Sequence, residues 1–322
     1  MSTVSVVIPV FNAEATISEL CSEIITELEN KVQDFEIVLV EDCSRDNSWQ
    51  VIKSLAAENE RIHGISLGKN FGQHNALLCG IRSARHEVIV TIDDDLQHPP
   101  SQIPLLLEEL AEGHDVVYGV PRVEQHGFLR NAASRLTKLA LQSTIGTEAA
   151  RNVSAFRAFS THLRDGFHDF QSPHVSIDVL LTWATARFSS VKVEHRPRAN
   201  GVSNYTLRKL ISHAFNLVTG FSSLPLKLAS VAGFVLTIFG LLILSYVLVR
   251  YFVNGGSVPG FAFLASIITI FSGTQMFVMG IFGEYLARIH FRTLNQPPYF
   301  VREGTEFSDE LQMRSGQTIS KP

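Results

Sequence analysis

Two stretches without a single charged residue, Leu228–Val249 and Phe261–Gly283, limit what this chain can fold into more than any other feature. The first runs for about 22 residues, enough for a helix to cross a hydrocarbon core of roughly 30 Å. Asn254, Gly255, Gly256, Ser257 and Pro259 supply a turn between them, so the pair reads as a transmembrane hairpin rather than as buried helices of a soluble core. Basic flanks set its direction. Arg208, Lys209 and Lys227 precede the first span and Arg288 and Arg292 follow the second, while Arg250 alone lies in the connection. A bias of this kind places both termini in the cytoplasm. Just upstream, Leu207–Thr219 carries Leu210, Ile211, Phe215, Leu217 and Val218 beside Arg208, Lys209 and His213, the pattern of an amphipathic helix lying in the membrane interface.

The part before the hairpin has a different texture. Short β-branched runs at Val4–Val10, Phe35–Val40, Ile62–Leu67, Glu87–Ile92 and Asp115–Tyr118 alternate with helical spacing at Ala13–Glu29, Ser48–Ala57, Phe71–Arg85 and Ile103–Glu112. Alternation of this sort predicts an α/β fold with a mainly parallel, Rossmann-like sheet flanked by helices. Further helices are expected at Gly127–Ile145, which is basic at Arg130, Arg135 and Lys138, and at Val175–Ala186, with a strand at Ser190–His195 and a turn at Asn200-Gly201. The resulting division is a cytoplasmic catalytic domain over 1–205, an interfacial helix over 206–226, the hairpin over 227–290 and a cytoplasmic tail over 291–322. The tail after Glu303 is polar and without apolar periodicity, and is expected to be disordered at its end.

Composition excludes several classes. A net charge of −4 with pI near 6.3 lacks the basic balance of a nucleic-acid binder. Cys21, Cys43 and Cys79 are far apart, without metal-site or disulfide-framework spacing, which suits a reducing compartment. No basic region followed by an apolar run opens the chain, so no cleaved signal peptide is expected.

The strongest chemical signal is the run from Val88 to Pro100, in which an apolar strand leads directly into Asp93, Asp94 and Asp95. Clustered carboxylates repel unless a cation or another partner neutralises them. Mg²⁺ or Mn²⁺ held by one or two carboxylates together with substrate phosphates is a common arrangement, and a solvated acidic turn is the plainer one. Continued alternation along the strand would send Asp93 and Asp95 one way and Asp94 the other. Glu41-Asp42 closes the second strand in the same manner. Asp42 fits a hydrogen-bond acceptor for a nucleobase or ribose, and equally a turn or helix-capping residue. Both acidic sites fall at the carboxyl ends of strands, where α/β sheets gather their ligands.

Val6–Asn12, Glu41–Asp46, Asn70–Ala76 and Asp93–Pro100 together resemble family-two glycosyltransferases of GT-A-type fold. More narrowly they resemble polyprenyl-phosphate glycosyltransferases, the group of dolichyl-phosphate mannose synthase, GtrB-like glucosyltransferases and undecaprenyl-phosphate aminoarabinose transferases. The likeness extends from about Val4 to Val301 and includes Gln296–Phe300. It implies that Pro9, Asn12 and Glu14 border a nucleotide pocket and that Asp42 reads the base. Asp93 is then placed by the ribose and diphosphate, Asp95 on the metal and Gln97 by a phosphate. Arg198 and the loop holding Ser203 and Asn204 fall near the phosphates. The basic run with Arg130 and Arg135 fits contact with anionic headgroups or the lipid phosphate, and equally a plain solvated helix face. Three positions depart from the pattern: Ala13 separates Asn12 from Glu14, Asn204 stands where a lysine is usual, and Arg151 stands where an acid is common.

The resemblance implies inverting transfer of a sugar from a nucleotide sugar, UDP-linked in the bacterial members, to a polyprenyl phosphate such as undecaprenyl phosphate. The expected setting is the cytoplasmic face of the inner membrane, in cell-envelope biogenesis, with a homo-oligomer as one way for the hairpin to pack. A processive polysaccharide synthase is disfavoured by the absence of a Gln-x-x-Arg-Trp signature and by having only two spans. A non-catalytic scaffold on the same fold would account for the departures at Ala13 and Asn204 but not for the retained Asp93 and Asp95.

Overall fold

The computed structural model describes residues 2–122, 153–173, 175–196, 224–253, 260–294 and 296–305. Eight strands form one sheet: β1 (Thr3–Val10), β2 (Asp34–Glu41), β3 (Ile62–Leu67), β4 (Val88–Thr91), β5 (Val116–Pro121), β6 (Arg157–Ser160), β7 (Phe188–Val193) and β8 (Val301–Gly304). Their order across the sheet is β7-β5-β6-β4-β1-β2-β3-β8. Four of the pairings are parallel, β1 with β2 and β4, β2 with β3, and β5 with β7. The three pairings made by β6 and β8 are antiparallel.

Helices cover both faces. Val4, Val6, Ile8 and Val10 of β1 face a core shared with α1 (Ile17–Leu28), α2 (Ser48–Glu58) and α4 (Ile103–Ala111). Val7, with Val38 and Val40 of β2, faces the opposite core, built with α3 (Gln73–Ser83) and α5 (Ile177–Ala184). Period-two alternation along fully buried strands thus feeds two cores at once.

Because β1 leads to β2 and β3 on one side and β4 lies on the other, the order of strands reverses between β1 and β4. Crevices in α/β sheets open at such switch points, outside the carboxyl ends of the strands.

Several helix starts are later than periodicity predicts, for stated reasons. α1 begins at Ile17 rather than Ala13 because the amides of Asn12, Ala13 and Glu14 are taken by side chains at 44–48. α3 begins at Gln73 rather than Phe71 because the Phe71 and Gly72 amides are captured by Asp42 and Gly72 turns at φ 96°. β6 and β8 were not foreseen. β6 hides a buried arginine in a four-residue segment, and β8 lies beyond the two long apolar runs, where nothing local marks it as part of the sheet.

The two uncharged runs lie in α6 (Leu224–Val253) and α7 (Phe261–Thr293). Residues Leu228–Arg250 are long and apolar enough to cross a membrane. Phe234, Leu242, Tyr246, Met276 and Phe277 are all more than three-fifths exposed. Gly240 admits the ring of Phe271, to which an added Cβ would stand 3.1 Å away, so the two helices touch. The chain then returns: Val301–Gly304 pairs with β3 and Thr305 exchanges hydrogen bonds with Gly64. The predicted helices at 127–145 and 207–219, the turns at 200–201 and 254–259, Arg151 and the tail from 306 lie outside the described residues.

Candidate active site

Three loops meet at the carboxyl end of the sheet, and each contains a residue in the left-handed region: Asn12 after β1, Cys43 after β2 and Leu96 after β4, at φ 55°, 56° and 60°. Positive φ is uncommon outside glycine. Its recurrence at three adjacent strand ends marks backbone bent for the sake of the crevice.

The first two loops are laced together reciprocally. Asn12 N–H donates to Ser44 Oγ at 3.0 Å, and its Oδ1 accepts the Arg45 amide at 2.8 Å. Glu14 N–H donates to Asp46 Oδ2 at 3.1 Å, and its Oε2 accepts the Asn47 amide at 2.8 Å. Between them the Ala13 amide reaches Ser48 Oγ at 2.9 Å. Asn12 and Glu14 are therefore at the crevice rim, exposed, with their side chains engaged in shaping it. Pro9 lies buried within β1, opposite Val40.

Asp42 is 3% exposed. Its Oδ1 and Oδ2 accept the amides of Phe71 and Gly72, each at 2.7 Å, and Asn70 Nδ2 donates to its carbonyl at 3.1 Å. Burial pushes its carboxyl above the usual aspartate range, against the pull of the two amides. Glu41 is buried as well, accepting from Ser66 Oγ at 2.7 Å and from the Ser44 amide. Each oxygen of Asp42 has two lone-pair directions, of which an amide fills one.

The acidic loop itself corrects one expectation. β4 ends at Thr91, so no pleat continues to sort residues 93–95 onto alternate faces. Asp93 Oδ1 instead accepts from Gln73 Nε2 at 2.7 Å, across at the start of α3. Asp94 Oδ2 accepts the Phe11 amide at 3.0 Å and its carbonyl accepts Thr16 Oγ1 at 2.7 Å, closing the β1–β4 switch point. Asp95 Oδ1 accepts the Gln97 amide at 3.2 Å, and Gln97 in turn accepts the Arg196 amide on its carbonyl at 2.8 Å. The segment after β7 is thereby drawn to the crevice.

His98, next along, stacks on Phe156 with centroids 5.2 Å apart and meets His195 edge-on at 5.0 Å. Burial above all, then His195, pushes its imidazole down to about 4 against the pull of Asp95, so it is neutral at pH 7.

Of the sequence-based candidates, Pro9, Asn12, Glu14, Asp42, Asp93, Asp95 and Gln97 come together here. Arg130, Arg135, Arg198, Ser203 and Asn204 lie outside the described residues. Gln73, Thr16 and Arg196 were not foreseen as neighbours of the acidic loop. Gln73 lies within the Asn70–Ala76 motif, which was the available signal, whereas Thr16 and Arg196 had none.

The donors of the acidic loop are hard carboxylate oxygens, the chemistry that Mg²⁺ and Mn²⁺ select. The three aspartates do not converge into a ready cage: among the described residues, the trio whose ligand atoms lie within 4.8 Å of one another is Glu109, Glu112 and His114, at the end of α4. A cation at the crevice would therefore take one or two aspartates and complete its shell from phosphate or water. The residues fit a metal that arrives with its substrate.

Comparison with known proteins shows the family. The profile described as Glycosyl transferase family 2 matches residues 5–166. Undecaprenyl-phosphate 4-deoxy-4-formamido-L-arabinose transferase of Shewanella sediminis is 33% identical over 318 residues, covering 95% of this chain and 96% of its own. The enzyme of the same name from Aeromonas hydrophila is 33% identical over 303 residues, covering 93% of each. Glucosyl-3-phosphoglycerate synthase of Mycobacterium tuberculosis superposes with a TM-score of 0.50 at 21% identity, over 68% of this chain and 78% of that one.

Proposed function

The chain belongs to glycosyl transferase family 2 and is a glycosyltransferase of its polyprenyl-phosphate group, and from that premise we propose that it moves a sugar from a UDP-sugar to undecaprenyl phosphate, with inversion, at the cytoplasmic face of the inner membrane. The observation that carries this reading is the acidic loop Asp93–Asp95, fastened to the β1–β4 switch point through Phe11 and Thr16 in a chain that matches its relatives nearly end to end.

A phosphate oxygen of the lipid attacks the anomeric carbon, the glycosidic C–O bond to the diphosphate breaks, and nucleoside diphosphate departs. The acceptor is already anionic near neutral pH, so no strong protein base is needed. What remains is alignment and neutralisation of the departing charge, both large contributions. A bound Mg²⁺ or Mn²⁺ supplies Lewis-acid neutralisation of the diphosphate. Asp95 and Asp93 are the residues to hold it. Asp93 also orients the ribose and diphosphate, and Gln97 lies by a phosphate. Asp42, Asn12 and Glu14, with Pro9 behind them, shape the nucleotide pocket. Arg198, Ser203, Asn204, Arg130 and Arg135 are proposed to contact the phosphates.

The domain plan is a proposal too: catalytic residues 1–205, an interfacial helix 206–226, a hairpin 227–290 and a cytoplasmic tail 291–322. One topological fact supports it. β7 precedes the proposed hairpin and β8 follows it in the same sheet, which supports a chain that leaves and re-enters on one side of the membrane. With the basic flanks, that side is the cytoplasm.

The test incubates purified protein with undecaprenyl phosphate and a panel of UDP-sugars, with and without Mg²⁺ or Mn²⁺. A lipid-linked sugar is expected only with a divalent cation, and Asp95→Asn should lower its formation by at least about a hundredfold. Near-normal turnover of Asp95→Asn in saturating metal overturns the assignment. Failure of every nucleotide sugar to be transferred or hydrolysed favours the non-catalytic scaffold.

A further inference from the structure

The motif Asn70–Ala76 has no part in the chemistry above, yet three successive residues in it hold three separate pieces of the protein. Gln73 holds Asp93 of the acidic loop. His74 Nδ1 accepts the amide of Ile177, the first residue of α5, at 3.4 Å. Asn75, only 5% exposed, spends its amide group on two carbonyls, Pro173 at 3.1 Å and Pro298. Pro298 belongs to the return segment that leaves α7. That segment is seated firmly: Tyr299 is 4% exposed with the Arg82 guanidinium 5.8 Å over its ring, Gly68 N–H donates to the Phe300 carbonyl at 2.9 Å, and Trp49 Nε1 donates to Glu303 at 3.0 Å.

The helix carrying these contacts is closely held. Asp42 fixes the two amides ahead of α3, and further along Gly80 lies flat on β1 and β2, where an added Cβ would overlap Val7 and stand 3.0 Å from Val40. A buried Asn amide deprived of one carbonyl leaves a donor unsatisfied, which is costly in a dry site. Undocking of Pro298 therefore disturbs the same helical turn from which Gln73 reaches Asp93.

We propose that Gln73 and Asn75 are positioning residues: the first turn of α3 ties the geometry of the acidic loop at 93–95 to the seating of the return segment at 298–304, so that the site is in order when the chain emerging from the membrane is docked on the catalytic sheet. This rests on the reading that Asp93 and Asp95 hold the metal and diphosphate. Outer contacts of this type commonly change metal affinity or activity by about 10- to 100-fold.

The experiment uses the full chain in detergent or nanodiscs, with Gln73→Met and Asn75→Asp, the latter keeping size while removing both donors. Hydrogen exchange on metal-free protein is followed in peptides spanning 92–97 and 298–305. Binding of UDP is then titrated with and without Mn²⁺, and kcat and KM are measured. Asn75→Asp should speed exchange in both peptides and Gln73→Met in 92–97 alone. Each should weaken Mn²⁺-dependent UDP binding and lower kcat about tenfold, with KM for undecaprenyl phosphate within about twofold, and the double variant should lose less than the product of the two. Faster exchange at 298–305 with 92–97 and UDP binding unchanged overturns the coupling. If wild-type protein binds UDP in a Mn²⁺-dependent way and both variants match it, the positioning role alone falls; if wild type shows no such binding, the reading of the site falls with it. Should Asn75→Asp not fold, Asn75→Ser keeps one donor, and Gln73→Met, at an exposed residue, decides its own half.

Discussion

Arg157 on β6 and Asp178 in the first turn of α5 form an ion pair inside the protein, the arginine side chain 1% exposed and the aspartate 10%. The pair is fully dressed. Arg157 Nε donates to Thr91 Oγ1 at 3.0 Å, Tyr118 Oη donates to Asp178 Oδ1 at 3.0 Å, and Thr91 Oγ1 donates to the Ala155 carbonyl at 2.7 Å. Thr91, Arg157 and Tyr118 are register neighbours across β4, β6 and β5, two residues before the acidic loop. Removing one buried partner strands the other charge, at about 3–5 kcal/mol. Asp178→Ala should therefore lower the melting temperature by about 10 °C, while Arg157→Met with Asp178→Leu should stay within a few degrees of wild type. Thermal melts of the three proteins, followed by intrinsic fluorescence, decide it; equal losses in the single and the double variant would contradict the account.

His98 makes stability depend on pH. Its imidazole sits at about 4 in the folded protein and ordinarily near 6.5, so between those values the unfolded chain binds more protons. Its contribution is complete above about pH 6.5 and is lost progressively as pH falls to about 4, amounting to a few kcal/mol. His98→Phe, which keeps the stack on Phe156, should flatten the fall in melting temperature across that window relative to wild type. An unchanged pH profile would show that His98 is not buried as a neutral ring.

Asn12 does two jobs that substitution can separate. Its φ of 55° is tolerable for asparagine, and its Oδ1 receives the Arg45 amide. Asn12→Gly gives up only the acceptor, whereas Asn12→Ala adds about 1–2 kcal/mol of backbone cost. Alanine should therefore be the more damaging of the two, both in melting temperature and in the dissociation constant for UDP. The reverse order would mean that the rim conformation does not matter.

Gly80 sets how closely α3 approaches the sheet. Gly80→Ala should cost about 1–3 kcal/mol by overpacking against Val7, despite the better helix propensity of alanine. Adding Val7→Ala should recover part of that loss, and a double-variant melt that shows no recovery would place the strain elsewhere.

Much of this arrangement could be read without coordinates. Short β-branched runs found β1 to β5, and period 3.6 found α1 to α4, because those elements are local patterns of side chains facing a core. The acidic ends of β2 and β4 announced the crevice for the same reason, since charge at a strand end has no apolar neighbours to hide behind. Asn12, Glu14 and Asp42 lie in the loops at the carboxyl edge of the sheet. That Asn12 and Glu14 lace two loops together, and that Asp42 grips the start of α3, could not be seen, because each partner lies about thirty residues away.

The sequence by itself determined a mainly parallel α/β layer, acidic strand ends and two long apolar runs, all of which follow from short-range periodicity and from the aversion of charge to hydrocarbon. Only the tertiary structure decided that Arg157 would be an interior residue, that Gln73 would hold Asp93, and that the chain leaving α7 would come back as β8. Those outcomes depend on which distant donors and acceptors must be satisfied together once water is excluded, and no local pattern encodes that pairing.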